Sequence, residues 1–277
     1  MHLDLHMHTT ASDGRLSPSH LIDLAATRDL NIIAVTDHDT TEGLAEAYQR
    51  KERYPQLTII PGIELSTDIP GSEVHVLGYF IDAGNPEFQE MLTEFRATRV
   101  DRGLMMVQKL RELGVMIEWE RVQELAQGAV GRPHVAQAML EAGYIGSINE
   151  AFDRYIGRNG PAYAERAKLT PAEAVTTIRR VGGVAVLAHP RDVLANLDPI
   201  LDEMCAAGLT GMEVYYNGYA GDLADYLSTV CRDRSLIPCG GSDFHGIDGK
   251  SEAGLGRVDV PMSTAERLYA AAGREMP

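Results

Sequence analysis

Two imidazoles stand two residues apart in His6-Met7-His8, so an extended chain turns both to one side. A carboxylate follows in Ser12-Asp13-Gly14. Histidines and carboxylates then recur in Thr36-Asp37-His38-Asp39, Gly62-Ile63-Glu64, at His75, in Ala188-His189-Pro190 and in Ser242-Asp243-Phe244-His245, where Asp243 and His245 again lie two apart. Neutral imidazole and carboxylate are donors for Zn²⁺, Mn²⁺ and Fe²⁺, whereas three scattered cysteines (Cys205, Cys231, Cys239) make no thiolate site. Donors too numerous for one tetrahedral ion imply two or three ions sharing a bridging carboxylate. Such a centre activates water near neutral pH and neutralises charge on a phosphoryl group.

Each fragment alone has a plainer reading. A His-x-His pair also occurs as a packed strand feature, His75 would serve as a hydrogen-bonded core histidine, Glu64 as a turn cap and Asp243 as an N-cap. His2 and His20 read as structural. The metal reading rests on position, because the acids and histidines fall at the same end of successive strand-like runs.

Those runs are residues 3–7, 32–36, 57–63, 74–81, 184–187, 211–215 and 236–239, rich in β-formers. Helices separate several of them. Ser17-Pro18 opens one to about residue 29, Thr170-Pro171-Ala172-Glu173 is a capping box, and further helices cover 197–207 and about 223–231. Strands alternating with helices imply an α/β chain with a mainly parallel sheet, whose C-terminal strand ends converge on one face.

The middle differs. Residues 86–113 have long helical periodicity, followed by helical pieces at 120–126, 133–142 and 148–155, with an exit turn at Gly157-Arg158-Asn159-Gly160-Pro161. This reads as a small helical cap over 98–165, inserted between barrel portions 1–97 and 166–277. The chain of 277 residues has net charge −15, yet between Arg96 and Arg180 thirteen Lys/Arg face ten Asp/Glu. That reversal either places cations beside an anionic ligand or merely solvates helices.

Composition sets outer limits. With 44% hydrophobic and 23% charged residues, the chain is expected to fold. It has no apolar run long enough for a membrane helix and no signal-peptide pattern at residues 1–8, so a cytoplasmic protein is expected. The acidic balance argues against coating duplex DNA or anionic lipid.

Taken in order, His6-x-His8, Ser12-Asp13-Gly14, Thr36-Asp37-His38-Asp39, Gly62-Ile63-Glu64, His75, Ala188-His189-Pro190 and Ser242-Asp243-Phe244-His245 resemble the motif set of the polymerase and histidinol phosphatase (PHP) superfamily. The resemblance runs from His6 to about Gly246. It implies a distorted (β/α)7 TIM-like barrel with a trinuclear metal site, Mn²⁺ first and Fe²⁺ or Zn²⁺ as alternatives. It further implies one ion on His6, His8 and Asp243, a second on His75 and His189 bridged by Glu64, and a third on Asp13, His38 and His245. Asp13, His38 and His245 would stand nearest the reaction, with His245 a candidate to assist the leaving alcohol. No ligand position is replaced.

The cap sequence Gly131-Arg132-Pro133-His134 matches a segment that covers the site in stand-alone bacterial phosphoesterases of this superfamily. Arg132 and His134 are therefore expected to contact a substrate phosphate, with Arg158, Arg99 and Arg102 as further candidates. The expected reaction is hydrolysis of the 3′-phosphate of a nucleoside 3′,5′-bisphosphate. Alternatives are 5′→3′ exoribonuclease action on short 5′-phosphorylated RNA, histidinol-phosphate phosphatase, and a non-catalytic module that binds metal or a partner.

Overall fold

Alternation of strand and helix closes into a barrel. The computed structural model describes residues 2–126, 128–165, 168–246 and 254–277. Among the described residues seven strands lie in chain order: β1 (His2–Asp4), β2 (Leu30–Val35), β3 (Thr58–Ile69), β4 (Ser72–Tyr79), β5 (Val184–Leu187), β6 (Gly211–Tyr216) and β7 (Ile237–Gly241). Beyond the ends of β1 and β7, Met7 bridges to Phe244, and the His8 amide donates to the Phe244 carbonyl at 2.9 Å. Helices α1 (Pro18–Thr27), α2 (Gly43–Lys51), α7 (Pro171–Arg180), α8 (Leu197–Ala207) and α9 (Gly221–Asp233) accompany the strands, and α10 (Met262–Ala271) follows them. The expected N-cap at Ser17 and capping box at Thr170 and Glu173 both form.

Three strands depart from expectation. β3 continues past Glu64 to Ile69, then turns through Pro70 and Gly71 into an antiparallel β4. Proline followed by glycine at φ 88° is the signature of a tight type II turn. β4 also pairs antiparallel with β5, while β1–β2, β2–β3, β5–β6 and β6–β7 are parallel. Glu64 thus lies within a strand, not at its end, while His75 lies inside β4 as its apolar run implied. β1 stops at Asp4, short of the expected residue 7, because neighbours' side chains take over the pairing. The Thr36 hydroxyl bonds to the amide of Met7 and the Tyr79 hydroxyl to the carbonyl of Leu5.

One apolar cluster joins Leu5, Ile32, Ile60, Leu77, Val186 and Cys239 from strands around the barrel, with Leu268 and Tyr269 of α10 packed against it. A separate one belongs to the helical segment: α3 (Pro86–Glu112), α4 (Trp119–Ala126), α5 (Arg132–Glu141) and α6 (Ile148–Ala151) enclose Leu110, Val122, Val135, Met139 and Ile156. Truncating any of these to alanine costs about 2–5 kcal/mol. The cap expected at 98–165 begins inside α3, whose Phe88 and Leu92 pack with the barrel helices. The helix expected over 148–155 becomes a wider π-type turn at Phe152–Ile156, a form common at functional sites.

Candidate metal centre

Strand ends and the β3–β4 hairpin bring nine predicted side chains to one place. His6 Nε2 lies 3.2 Å from Glu64 Oε2 and 3.2 Å from Asp243 Oδ1, and His8 Nε2 lies 3.2 and 3.0 Å from the same two oxygens. Glu64 Oε1 faces the other way, 2.9 Å from His75 Nδ1 and 3.0 Å from His189 Nε2. Asp13 Oδ1 is 3.4 Å from His245 Nε2, and Asp13 Oδ2 is 3.8 Å from His38 Nε2. Glu64, completely buried, stands between two sets of imidazoles, as a bridging carboxylate must.

Among the described residues donor atoms gather in three groups, each within 4.8 Å: His6, His8, Glu64 and Asp243; His38, Glu64 and His75; and His8, Asp13, His38 and His245; His189 stands outside them, in contact with Glu64. This regroups the partition implied by the family. His8 belongs to two groups, and His38 reaches Glu64 (Nδ1 to Oε2, 3.1 Å) as well as Asp13. The set fits divalent cations chemically, being all imidazole nitrogen and carboxylate oxygen. Buried His8 Nδ1 has no hydrogen-bond partner, and Asp13 Oδ1 and His38 Nδ1, though close to His245 and Glu64, make no well-aligned hydrogen bond, a costly state unless something else engages them.

Electrostatics follow from crowding. Burial works against ionisation of Glu64, Asp13 and Asp243, but surrounding imidazoles hold all three well below the usual carboxylate range. Burial would likewise lower His189 and His245, yet adjacent carboxylates raise them to about 9 and about 10. His38, where burial prevails, falls to about 3.

Sequence reasoning missed the buried acids behind the ligands. Asp37 accepts from the Thr9 amide, the Thr9 hydroxyl and the Ser12 hydroxyl, each at 2.7 Å, and so fixes the loop that presents Asp13. Asp4 accepts from the amides of Ser242 and Gly256, both at 2.8 Å, anchoring the approach to Asp243. Asp37 was visible beside His38; nothing in the spacing of Asp4 distinguished it.

A cavity links this centre to the cap. Its walls are Asp13, His38, His75 and His245 on one side and Arg99, Arg102, Arg132 and Lys168 on the other. Among the predicted phosphate contacts, Arg99, Arg102 and Arg132 therefore face it. Arg132 pairs with Glu73 and lies 5.4 Å over the Phe152 ring. Arg99 bonds to Asp39 (2.8 Å) and Ser66 (2.8 Å). Arg102 donates to the Ala164 carbonyl at 2.8 Å and lies 3.4 Å from Glu73.

The other two predicted contacts do not line it. His134 Nδ1 accepts from the Gly131 amide at 2.9 Å, so its ring caps α5. Arg158 forks onto Asp68, with one contact at 3.0 Å, and reaches the Ile69 carbonyl at 3.1 Å. Both side chains are thus engaged by the protein, and His134 lines a neighbouring cavity with Asp13 and Gln137. Lys168 and Glu73, neither of them singled out in the sequence, take their place in the wall, and they pair with each other.

The pattern described as PHP domain matches residues 4–173, more than half of the chain. The chain belongs to the PHP family. A 5′-3′ exoribonuclease of Haemophilus influenzae is 32% identical to this PHP protein over 270 residues, covering 96% of this chain and 98% of the relative. A 3′,5′-nucleoside bisphosphate phosphatase of Chromobacterium violaceum is 31% identical, covering 88% of this chain and 87% of the relative. At the same 31%, a phosphoribosyl 1,2-cyclic phosphate 1,2-diphosphodiesterase of Eggerthella lenta covers 89% and 95%. Among solved structures, a protein of Bifidobacterium adolescentis provisionally described as a metal-dependent phosphoesterase superposes with TM-score 0.88 at 30% identity, over 97% of this chain and 95% of that one. This PHP chain is thus a phosphoesterase of barrel fold. Among its described residues, no helix is long and apolar enough to cross a membrane.

Proposed function

We propose that this PHP phosphoesterase removes the 3′-phosphate of a nucleoside 3′,5′-bisphosphate, leaving a 5′-nucleotide and phosphate. One observation carries the reading: four cationic side chains share a cavity with the metal donors. A substrate with two phosphates has a use for both ends of that cavity. Divalent ions bound to the nine donors, with Mn²⁺ the first choice among two or three, supply water activation and charge neutralisation at phosphorus.

The remaining work falls to the chain. Arg132 and Lys168 hold the 5′-phosphate, exchanging part of their pairing with Glu73 for the phosphate oxygens. Arg99, fixed by Asp39, supplies a second fork. Phe152 and the cap helices screen the cavity from water. His245 has Nδ1 on the Asp243 carbonyl at 2.9 Å and Nε2 facing Asp13, so we assign it to holding a cation, not to protonating the leaving alcohol.

The test compares a 3′,5′-bisphosphate with the 3′- and 5′-monophosphates under Mn²⁺. The expected result is preferred turnover of the bisphosphate with phosphate released from the 3′ position. Equal turnover of all three would remove the two-phosphate argument. The identity with an exoribonuclease over nearly the whole chain supports a second reading, in which the same pocket holds the 5′-phosphate of a short RNA. Release of mononucleotides from a 5′-phosphorylated oligomer, faster than bisphosphate turnover, would favour it.

A further inference from the structure

β6 donates none of the nine side chains, yet it grips three of the residues that do. Glu213 is fully buried; its Oε1 faces His6 Nδ1 at 3.1 Å, and its Oε2 accepts from the His189 amide at 2.8 Å. Tyr216 donates its hydroxyl to Asp243 Oδ2 at 2.6 Å, leaving Oδ1 beside His6 and His8. Residues three apart on a regular strand face opposite sides of the sheet. Here the pairing with β7 shifts: Glu213 lies opposite Cys239, while Tyr215 lies opposite the next residue, Gly240. The extra residue moves the alternation by one and turns positions 213 and 216 toward the same centre.

The two grips also fall where the backbone most needs them. His189 (φ 24°) and Asp243 (φ 54°) both occupy left-handed conformations that neighbouring contacts must maintain. We propose that β6 is the positioning strand of the metal centre. Glu213 keeps the His6 proton on Nδ1, so that Nε2 is free for a cation, and steadies the turn that carries His189. Tyr216 fixes the carboxylate plane of Asp243. Outer partners of this kind orient ligands whose own strands do not hold them rigidly. The inference rests on reading the nine side chains as cation ligands.

The test uses the full chain, freed of metal with chelator and titrated with Mn²⁺ alone, counting unbound ion by electron paramagnetic resonance. Glu213→Gln is expected to weaken one class of Mn²⁺ site by about ten- to a hundredfold, with the Tm of the metal-free protein within a few degrees of wild type. Tyr216→Phe removes a single hydroxyl and should weaken binding several-fold, so it carries the test if the Gln variant does not fold. Wild-type isotherms from both variants would overturn the proposal, as would affinity losses matched by an equal fall in metal-free Tm, which mark a purely structural role. A wild-type chain that binds no Mn²⁺ would instead sink the metal reading beneath it.

Discussion

The two walls of the cavity are built on opposite plans. On the barrel side, six imidazoles and three carboxylates converge mainly on one another, while Asp4 and Asp37 behind them hold backbone and loops and Glu213 holds the His6 ring. On the cap side, every described cation is already matched to an acid: Arg99 to Asp39, Arg132 and Lys168 to Glu73, with Arg102 nearby. The first wall is a set of donors in want of a positive charge. The second is a paired network in which, among the described residues, four cations share chiefly two acids, an excess of positive charge that suits a doubly charged phosphate. Chemistry and recognition are thus separable, and substitutions should divide them.

The largest expected effect lies on the barrel side. Asp243→Ala removes a donor beside His6 and His8, and kcat should fall by about a thousandfold or more. Residual turnover close to wild type, with Mn²⁺ content unchanged, would show that this wall does not carry the chemistry. Next comes the cap. Arg132→Ala should raise KM for the bisphosphate by about ten- to a hundredfold, from the loss of a charged hydrogen bond, with kcat and 3′-monophosphate turnover little altered. A variant whose KM and selectivity both match wild type would detach Arg132 from substrate.

The smallest effect separates the walls by pH, since imidazoles titrate where guanidinium does not. His189 and His245 are raised to about 9 and about 10 in the metal-free fold, above the ordinary 6.5 of histidine. Protonation therefore stabilises that fold fully below pH 6.5, and the contribution is lost as pH rises through 9 to 10. A bound cation displaces these protons, so binding tightens as pH rises. Calorimetry between pH 6.5 and 9.5 should show the Tm difference between Mn²⁺-loaded and metal-free protein widening by several degrees. A gap that stays flat would mean that the ion displaces no imidazole proton.

The nine side chains that the structure brings together had unequal signals in the sequence: His6 with His8 and Asp243 with His245 show two-residue repeats and His38 stands beside acids, whereas Glu64, His75 and His189 were picked out by their place in strand-like runs and by the family resemblance. The antiparallel β4 was not legible, because the run expected to end at residue 63 left ten residues before the next one, whereas β3 in fact continues to Ile69 and only two residues, too few for a parallel crossover, remain before β4. The cap wall was harder to read. Arg99, Arg102, Arg132 and Lys168 share a cavity through tertiary packing, and no period in the chain separates them from Arg158, which folds onto Asp68. His134 was singled out because it follows Arg132; a histidine three residues past Gly131 is also placed to cap a helix start, and its Nδ1 makes that bond. Glu213 and Tyr216 were invisible for another reason: only the shifted pairing with β7 makes them neighbours of the same ligands.

The 27 residues of α3 form one unbroken rod about 40 Å long. Its early turns are wedged beside the barrel and its late turns inside the cap, with Arg99 and Arg102 riding between. The gap between guanidinium and cation is then measured out by helical pitch. Lengthening a surface connection would leave that gauge untouched, whereas adding one residue within the rod ahead of Arg99 would swing the arginine about 100° around the axis and out of register with its target.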